Sequence, residues 1–159
     1  MNIPHGPLAS RLTELVGLFN AQTVDVPPRA LHKDCVFRLN GRAYHEHLGR
    51  PPSDPLVRLI GCGPGGYRLI MNAVRPAARD ARVRVHAEDV RETAPGPGGE
   101  GTLTTRATLS GQLRVYDAPF SAECSLTLTA GPTGAVREIA VTMGDADVEW
   151  LAASRRQEG

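Results

Sequence analysis

The stretch from Leu103 to Met143 constrains this chain more than any other part of it. Leu103, Thr105, Ala107 and Leu109 alternate with other residues, and Phe120, Ala122, Cys124, Leu126 and Leu128 do so again. Ile139, Val141 and Met143 form a third run after the turn sequence Gly131-Pro132-Thr133-Gly134. A period of two puts every second side chain on one face of a sheet, so these runs predict antiparallel strands with one apolar face. Ser110-Gly111 reads as a turn, with Leu113 and Val115 opening the next strand. The apolar positions are odd at 113 and 115 but even from 120 to 128. A regular strand cannot change parity without flipping faces. A bulge or bend at Asp117-Ala118-Pro119 would absorb the extra residue and curve the sheet. The expected product is a curved antiparallel meander with helices in its concavity.

The first half of the chain supplies those helices. Leu8, Leu12, Leu15, Val16 and Phe19 recur at helical spacing and predict an amphipathic helix over about residues 8 to 20. Pro27-Pro28 prevents its simple continuation. Cys35 to Leu39 reads as a short strand closed by the turn dipeptide Asn40-Gly41, and His45 to Pro55 reads as loop. Tyr67, Leu69, Ile70, Ala73 and Val74 suit a second helix, with Pro76 at its end. Val83-Arg84-Val85-His86-Ala87 alternates as a further strand, followed by the Pro/Gly-rich loop 94 to 101.

Gly61, Gly63 and Gly66 fit G-x-G-x-x-G after the apolar run 56 to 60, with Glu88 and Asp89 at about the distance of a ribose-binding acid. A dinucleotide fold needs several βαβ units forming a parallel sheet. Everything after Asp89 here reads as antiparallel hairpins, and residues 1 to 55 offer one helix and one short strand. Ile70 also stands where such folds place a small residue. A lone glycine motif in a chain with 17 glycines carries little weight. The glycines read instead as a shaped lead-in to the second helix, carrying Tyr67 toward a cavity mouth.

At 159 residues the chain is expected to be one domain, with a core over about 8 to 151 and a loose tail at 152 to 159. Apolar residues make up 41% and the net charge is +1, which gives no reason to expect nucleic acid or an anionic membrane as partner. Cys35, Cys62 and Cys124 lack metal-ligand spacing and read as free thiols in a reducing cytoplasm. No segment has signal-peptide or membrane-spanning character. His45 and His47 flank Glu46, but no third ligand can be identified, so no metal is expected.

The order helix, strand, turn, helix and meandering strands resembles the cone-shaped α+β superfamily of nuclear transport factor 2, ketosteroid isomerase and the SnoaL-like polyketide cyclases. The likeness is carried by Leu31-His-Lys-Asp-Cys-Val-Phe-Arg-Leu-Asn-Gly41, by Ala118-Pro-Phe-Ser-Ala-Glu-Cys-Ser-Leu-Thr-Leu-Thr-Ala-Gly131, and by Gly134-Ala-Val-Arg-Glu-Ile-Ala-Val-Thr-Met-Gly-Asp145. It implies a curved antiparallel sheet wrapped around two or three N-terminal helices, a cavity between helices and sheet, and pairing of copies through the sheet face as a homodimer. It also implies acids and tyrosines in that cavity. Where the isomerases carry an aspartate base, this chain has Arg38, Leu39 and Asn40; at the isomerase hydrogen-bond donor it has Ser125 or Glu123. The first helix has no tyrosine. These departures set the isomerase mechanism aside. Asp145 falls near the acid that SnoaL-like cyclases use on the final strand.

The candidate catalytic residues are therefore Asp89, Asp145, Tyr67 and His86. Asp89 continues the face of Val83, Val85 and Ala87 and would point into the cavity if the alternation holds. A carboxylate there has its charged form disfavoured by desolvation, which suits acid/base work. Tyr44 or Tyr67 would donate a hydrogen bond to a substrate oxygen, and Phe37, Asn40, Glu123 and Arg106 complete the candidate substrate-binding set. If the polar sheet face turned inward, His86, Arg106 and Glu123 would form the site instead. The expected activity is a cofactor-free cyclase or isomerase of antibiotic-type polyketide biosynthesis, acting on an apolar ligand. The alternatives are a non-catalytic ligand-binding or dimerisation module of the same fold, or an epoxide hydrolase.

Overall fold

The computed structural model describes residues 7–27, 29–43, 63–93, 101–114, 117–131 and 134–144. In chain order the elements are α1 (Pro7–Asn20), β1 (Leu31–Leu39), β2 (Arg42–Ala43), α2 (Gly63–Ala77), β3 (Ala78–Val85), a 3-10 turn (Ala87–Asp89), β4 (Arg91–Glu92), β5 (Gly101–Leu113), β6 (Ala118–Ala130) and β7 (Val136–Met143). The strands form one sheet in the order β2-β1-β7-β6-β5-β3, with β4 also paired to β5. All pairings are antiparallel except β1 with β7, which is parallel.

The two described α-helices lie on the apolar face of this sheet. Leu8, Ala9, Leu12 and Leu15 of α1 are buried, as are Tyr67 and Met71 of α2, and they share one core with Phe37, Leu103, Ala107, Cys124, Leu126 and Leu128. The register puts the inner residues in rows across the strands. Leu103, Leu128, Ile139 and Phe37 form one row, and Thr105, Leu126, Val141 and Leu39 the next. Arg84, His86, Arg106, Thr108 and Glu123 occupy the alternate positions and so belong to the opposite, outer face.

The parity change between 113 and 120 has a simpler cause than a bulge. Leu113 pairs with Ala118 at the junction of β5 and β6, and Asp117, just before Ala118, takes φ 47°. An odd residue facing an even one keeps both on the inner face, so two strands join there and no single strand bends. Ser110-Gly111 is not a turn either, because β5 runs through it, pairing Ser110 with Ser121 and Gly111 with Phe120. Gly111 is glycine because β3 bulges against it. A Cβ at 111 would lie 3.0 Å from the Arg79 carbonyl oxygen and 3.0 Å from the Phe120 ring. The β3 register shifts at that point, between Arg79 and Arg82, with Asp80 at φ 53°.

Polar side chains close the ends. The Ala9 N–H at the start of α1 donates to the Glu92 carboxylate at 2.8 Å, so β4 supplies the cap that the first turn lacks. Asn20, at the end of α1, accepts from the Val83 N–H at 2.8 Å and donates to the Val83 carbonyl at 3.1 Å. It thereby covers part of β3, an edge strand of the sheet. No described helix is long and apolar enough to cross a membrane.

Candidate functional site

α2 sits over β1 because the chain can pass very close to it. Gly63 opens α2 at φ 60°, and a Cβ there would lie 2.4 Å from the Lys33 carbonyl oxygen. The glycine therefore serves backbone approach to β1, and Pro64 follows inside the first turn, where its missing N–H costs nothing. Gly61 lies outside the described residues. Tyr67 enters one turn later and is drawn fully inside rather than to the rim, with 7% of its surface exposed.

The Tyr67 hydroxyl is buried and has no hydrogen-bond partner among the described residues. Burial pushes its pKa from 10.0 up to about 12, so the phenol is held neutral and offers an O–H donor. Two other polar groups of the inner face are engaged. The Thr105 hydroxyl lies 3.3 Å from the His86 carbonyl oxygen, and Cys124 Sγ 3.4 Å from that of Ala107. Burial also pushes the Cys124 thiol up to about 11, with the Glu123 charge adding to the effect, which leaves it protonated and unreactive. Phe37 contributes an apolar wall on β1. Toward the ends of β3 and β7 the inner-face residues Val83, Val85, Val141 and Met143 are only partly buried, so the apolar interior reaches the surface there.

Asn40 lies beside that end as a clamp. Its amide accepts from the Met143 N–H at 2.8 Å and donates to the Met143 carbonyl at 3.0 Å, while its own N–H donates to the Val141 carbonyl at 2.8 Å. These bonds continue the β1–β7 pairing past the last residue of β1. Asp145 would follow two residues after Met143, and it lies outside the described residues, as does Tyr44.

The remaining predicted residues come together on the outer face. The alternation that would turn Asp89 inward stops at Val85, where β3 ends. The 3-10 turn instead brings the Asp89 carboxylate to 3.8 Å from His86 Nδ1. His86 Nε2 lies 2.8 Å from Thr108 Oγ1, and the Thr108 hydroxyl donates to Glu123 at 2.7 Å. The Thr108 bond is the main cause holding the Glu123 carboxyl below its usual range, with His86, Arg106 and Arg84 adding positive charge. Arg106 is exposed beside this group. Thr108 was not singled out from the sequence, although its even number puts it on the face of Arg106. A surface depression of about 360 Å³ between Asn72, Arg75, Pro76 and Arg114 contains none of the candidate residues.

Neither the family profiles nor the curated proteins compared with this chain include a match. Solved structures do match. BvnE pinacolase from Penicillium brevicompactum superposes with a TM-score of 0.61 at 14% identity, covering 96% of this chain and 95% of that one. An NTF2-like protein of unknown function from Exiguobacterium gives 0.58 at 16% identity, covering 85% and 98%. A steroid delta-isomerase from Pseudomonas aeruginosa gives 0.57 at 17% identity, covering 99% and 95%. Identities this low speak for fold and leave chemistry to the residues. This chain has the cone-shaped nuclear transport factor 2-like fold, that of the superfamily its sequence resembles.

Proposed function

We propose that this protein is a small cofactor-free cyclase or isomerase that holds a neutral, apolar substrate of polyketide type between its helices and the inner sheet face. One observation carries this reading: the Tyr67 hydroxyl, buried in a largely apolar interior and without a hydrogen-bond partner among the described residues. Burying an unpaired hydroxyl costs roughly 1–3 kcal/mol. A folded chain gains nothing from that cost unless something else accepts the bond. A carbonyl or epoxide oxygen of a bound molecule would do so, and the neutral phenol would then stabilise negative charge developing on that oxygen. Phe37 and the partly buried Val83, Val85, Val141 and Met143 would hold the apolar body in a reactive fold. Asp145, two residues after Met143 in the sequence, is the acid/base assigned here, and Tyr44 a second donor. The active form is a homodimer paired through the sheet, at work in the cytoplasm on antibiotic-type intermediates.

The test uses a panel of neutral oxygenated polyketides and terpenoids, incubated with the protein and analysed by mass spectrometry. Cyclisation or isomerisation gives a product of unchanged mass and altered retention, with turnover lost about 100-fold or more in Tyr67→Phe. Gain of one water would identify an epoxide hydrolase. Retained binding without any conversion would identify a non-catalytic ligand-binding module and overturn the enzymatic reading.

A further inference from the structure

The outer-face group His86, Thr108, Glu123 and Asp89 has no part in the chemistry proposed above, and its hydrogen bonds fix which nitrogen of His86 donates to Thr108. Glu123 is a carboxylate at neutral pH and can only accept. The Thr108 hydroxyl donates its single hydrogen to Glu123 Oε1 at 2.7 Å. Thr108 Oγ1 must therefore accept at its other contact, 2.8 Å away, which puts the proton of a neutral His86 on Nε2. The remaining nitrogen, Nδ1, then directs its lone pair to the side where Asp89 Oδ2 lies 3.8 Å away. A lone pair facing a carboxylate is unfavourable unless positive charge, as a proton on Nδ1 or as a metal ion, stands between them, so the same place suits either. Glu88 brings a second carboxylate to the same place, and one ligand atom from each of His86, Glu88 and Asp89 can be chosen so that all lie within 4.8 Å of one another.

We propose that His86, Glu88 and Asp89 form a binding site for a divalent first-row transition metal, zinc above all, on the outer face of the sheet.

The donor set of one imidazole and two carboxylates suits zinc with a fourth position left to water, while calcium and magnesium prefer oxygen alone. Tetrahedral zinc would bring the ligand atoms to about 3.4 Å apart. Asp89 and Glu88 can close that gap by side-chain rotation, since Glu88 is exposed and the Asp89 side chain is 39% exposed. The turn beneath them is held by Asp89 N–H to the His86 carbonyl at 2.9 Å. Arg91 donates to the Glu88 and Val90 carbonyls, each at 2.9 Å. The Glu123–Thr108 pair acts on His86 as the outer hydrogen-bond partner that metal-bound histidines commonly have, fixing tautomer and ring orientation. Of the surrounding charges, Glu123 favours a cation, whereas Arg84, Arg91 and Arg106 oppose one, so moderate affinity is expected.

Zinc titration of the full chain by calorimetry, with cobalt absorption to read the ligand set, tests the site near neutral pH. The expected result is one equivalent bound, with affinity reduced at least about 100-fold in His86→Gln and about 10–100-fold in Thr108→Val. Asp89→Asn weakens binding as well and covers the case in which His86→Gln fails to fold. His32→Gln should leave binding unchanged. Absence of a bound equivalent would overturn the proposal. So would binding that survives His86→Gln and Asp89→Asn but is lost in the His45→Gln, His47→Gln double variant.

Discussion

At the residue scale, Tyr67 and Cys124 are ionisable groups kept neutral by burial, and both leave a signature in alkali. The folded pKa of Tyr67 is about 12 against 10.0, and that of Cys124 about 11 against 9.0. Below about pH 8 both groups are protonated in either state and stability does not respond to them. Above that, the unfolded chain releases protons that the folded chain retains, so unfolding is favoured as pH rises. Each group contributes a slope of up to about 1.4 kcal/mol per pH unit, Cys124 over pH 9 to 11 and Tyr67 over 10 to 12. Urea denaturation across this range should show the upper part of the loss abolished in Tyr67→Phe and the lower part in Cys124→Ala. Identical slopes in wild type and variants would show both groups to be solvated. At lower pH, Tyr67→Phe should raise stability by about 1 kcal/mol or more, because it removes an unpaired buried hydroxyl. Tyr67 was visible in the sequence as an aromatic one turn into a helix. Its lack of a partner among the described residues was not, since that depends on how segments far apart in sequence pack into one core around it.

At the element scale, alternation in β5 to β7 separated an apolar from a polar sheet face, because a period of two survives any error in where strands begin. It left open which face turns inward, and the structure turns the apolar one to the helices. The errors lay at punctuation. Gly111 resembled a turn but answers the bulge of β3, a strand about thirty residues earlier, and no local pattern reports that contact. The parity break was real, yet its cause was a hairpin between two strands. Asp89 was read by extending β3 four residues too far, and the 3-10 turn moves it to His86. Two glycine substitutions separate conformational need from mere presence. Gly63→Ala places a Cβ 2.4 Å from the Lys33 carbonyl at a positive φ, and should cost more than about 2 kcal/mol in urea denaturation. Gly17→Ala, on the exposed side of α1 with no atom within 4 Å of the added Cβ, should instead stabilise by about 0.5–1 kcal/mol.

At the scale of the whole molecule, the sheet is open, and side-chain amides hold it at two places where backbone pairing runs out. Asn20 bonds to both polar groups of Val83 on edge strand β3, and Asn40 does the same for Met143 where β1 ends. Asn40 was thus legible as a turn residue but not as the clamp between β1 and the end of β7, because their parallel pairing joins segments a hundred residues apart. Asn40→Ala should destabilise the chain by about 1–2 kcal/mol and speed amide exchange at Met143 above the rest of β7. Normal protection at Met143 would contradict that role.

The central claim is that the interior receives a neutral oxygenated molecule and that Tyr67 donates to its oxygen. The carbonyl stretch of 2-acetylnaphthalene bound to the protein reads that bond directly by infrared difference spectroscopy. Donation from Tyr67 predicts a lower frequency in the wild type than in Tyr67→Phe, where the bound ketone should vibrate as in an apolar solvent. Equal frequencies in the two proteins, with the ketone bound in both, would contradict the account.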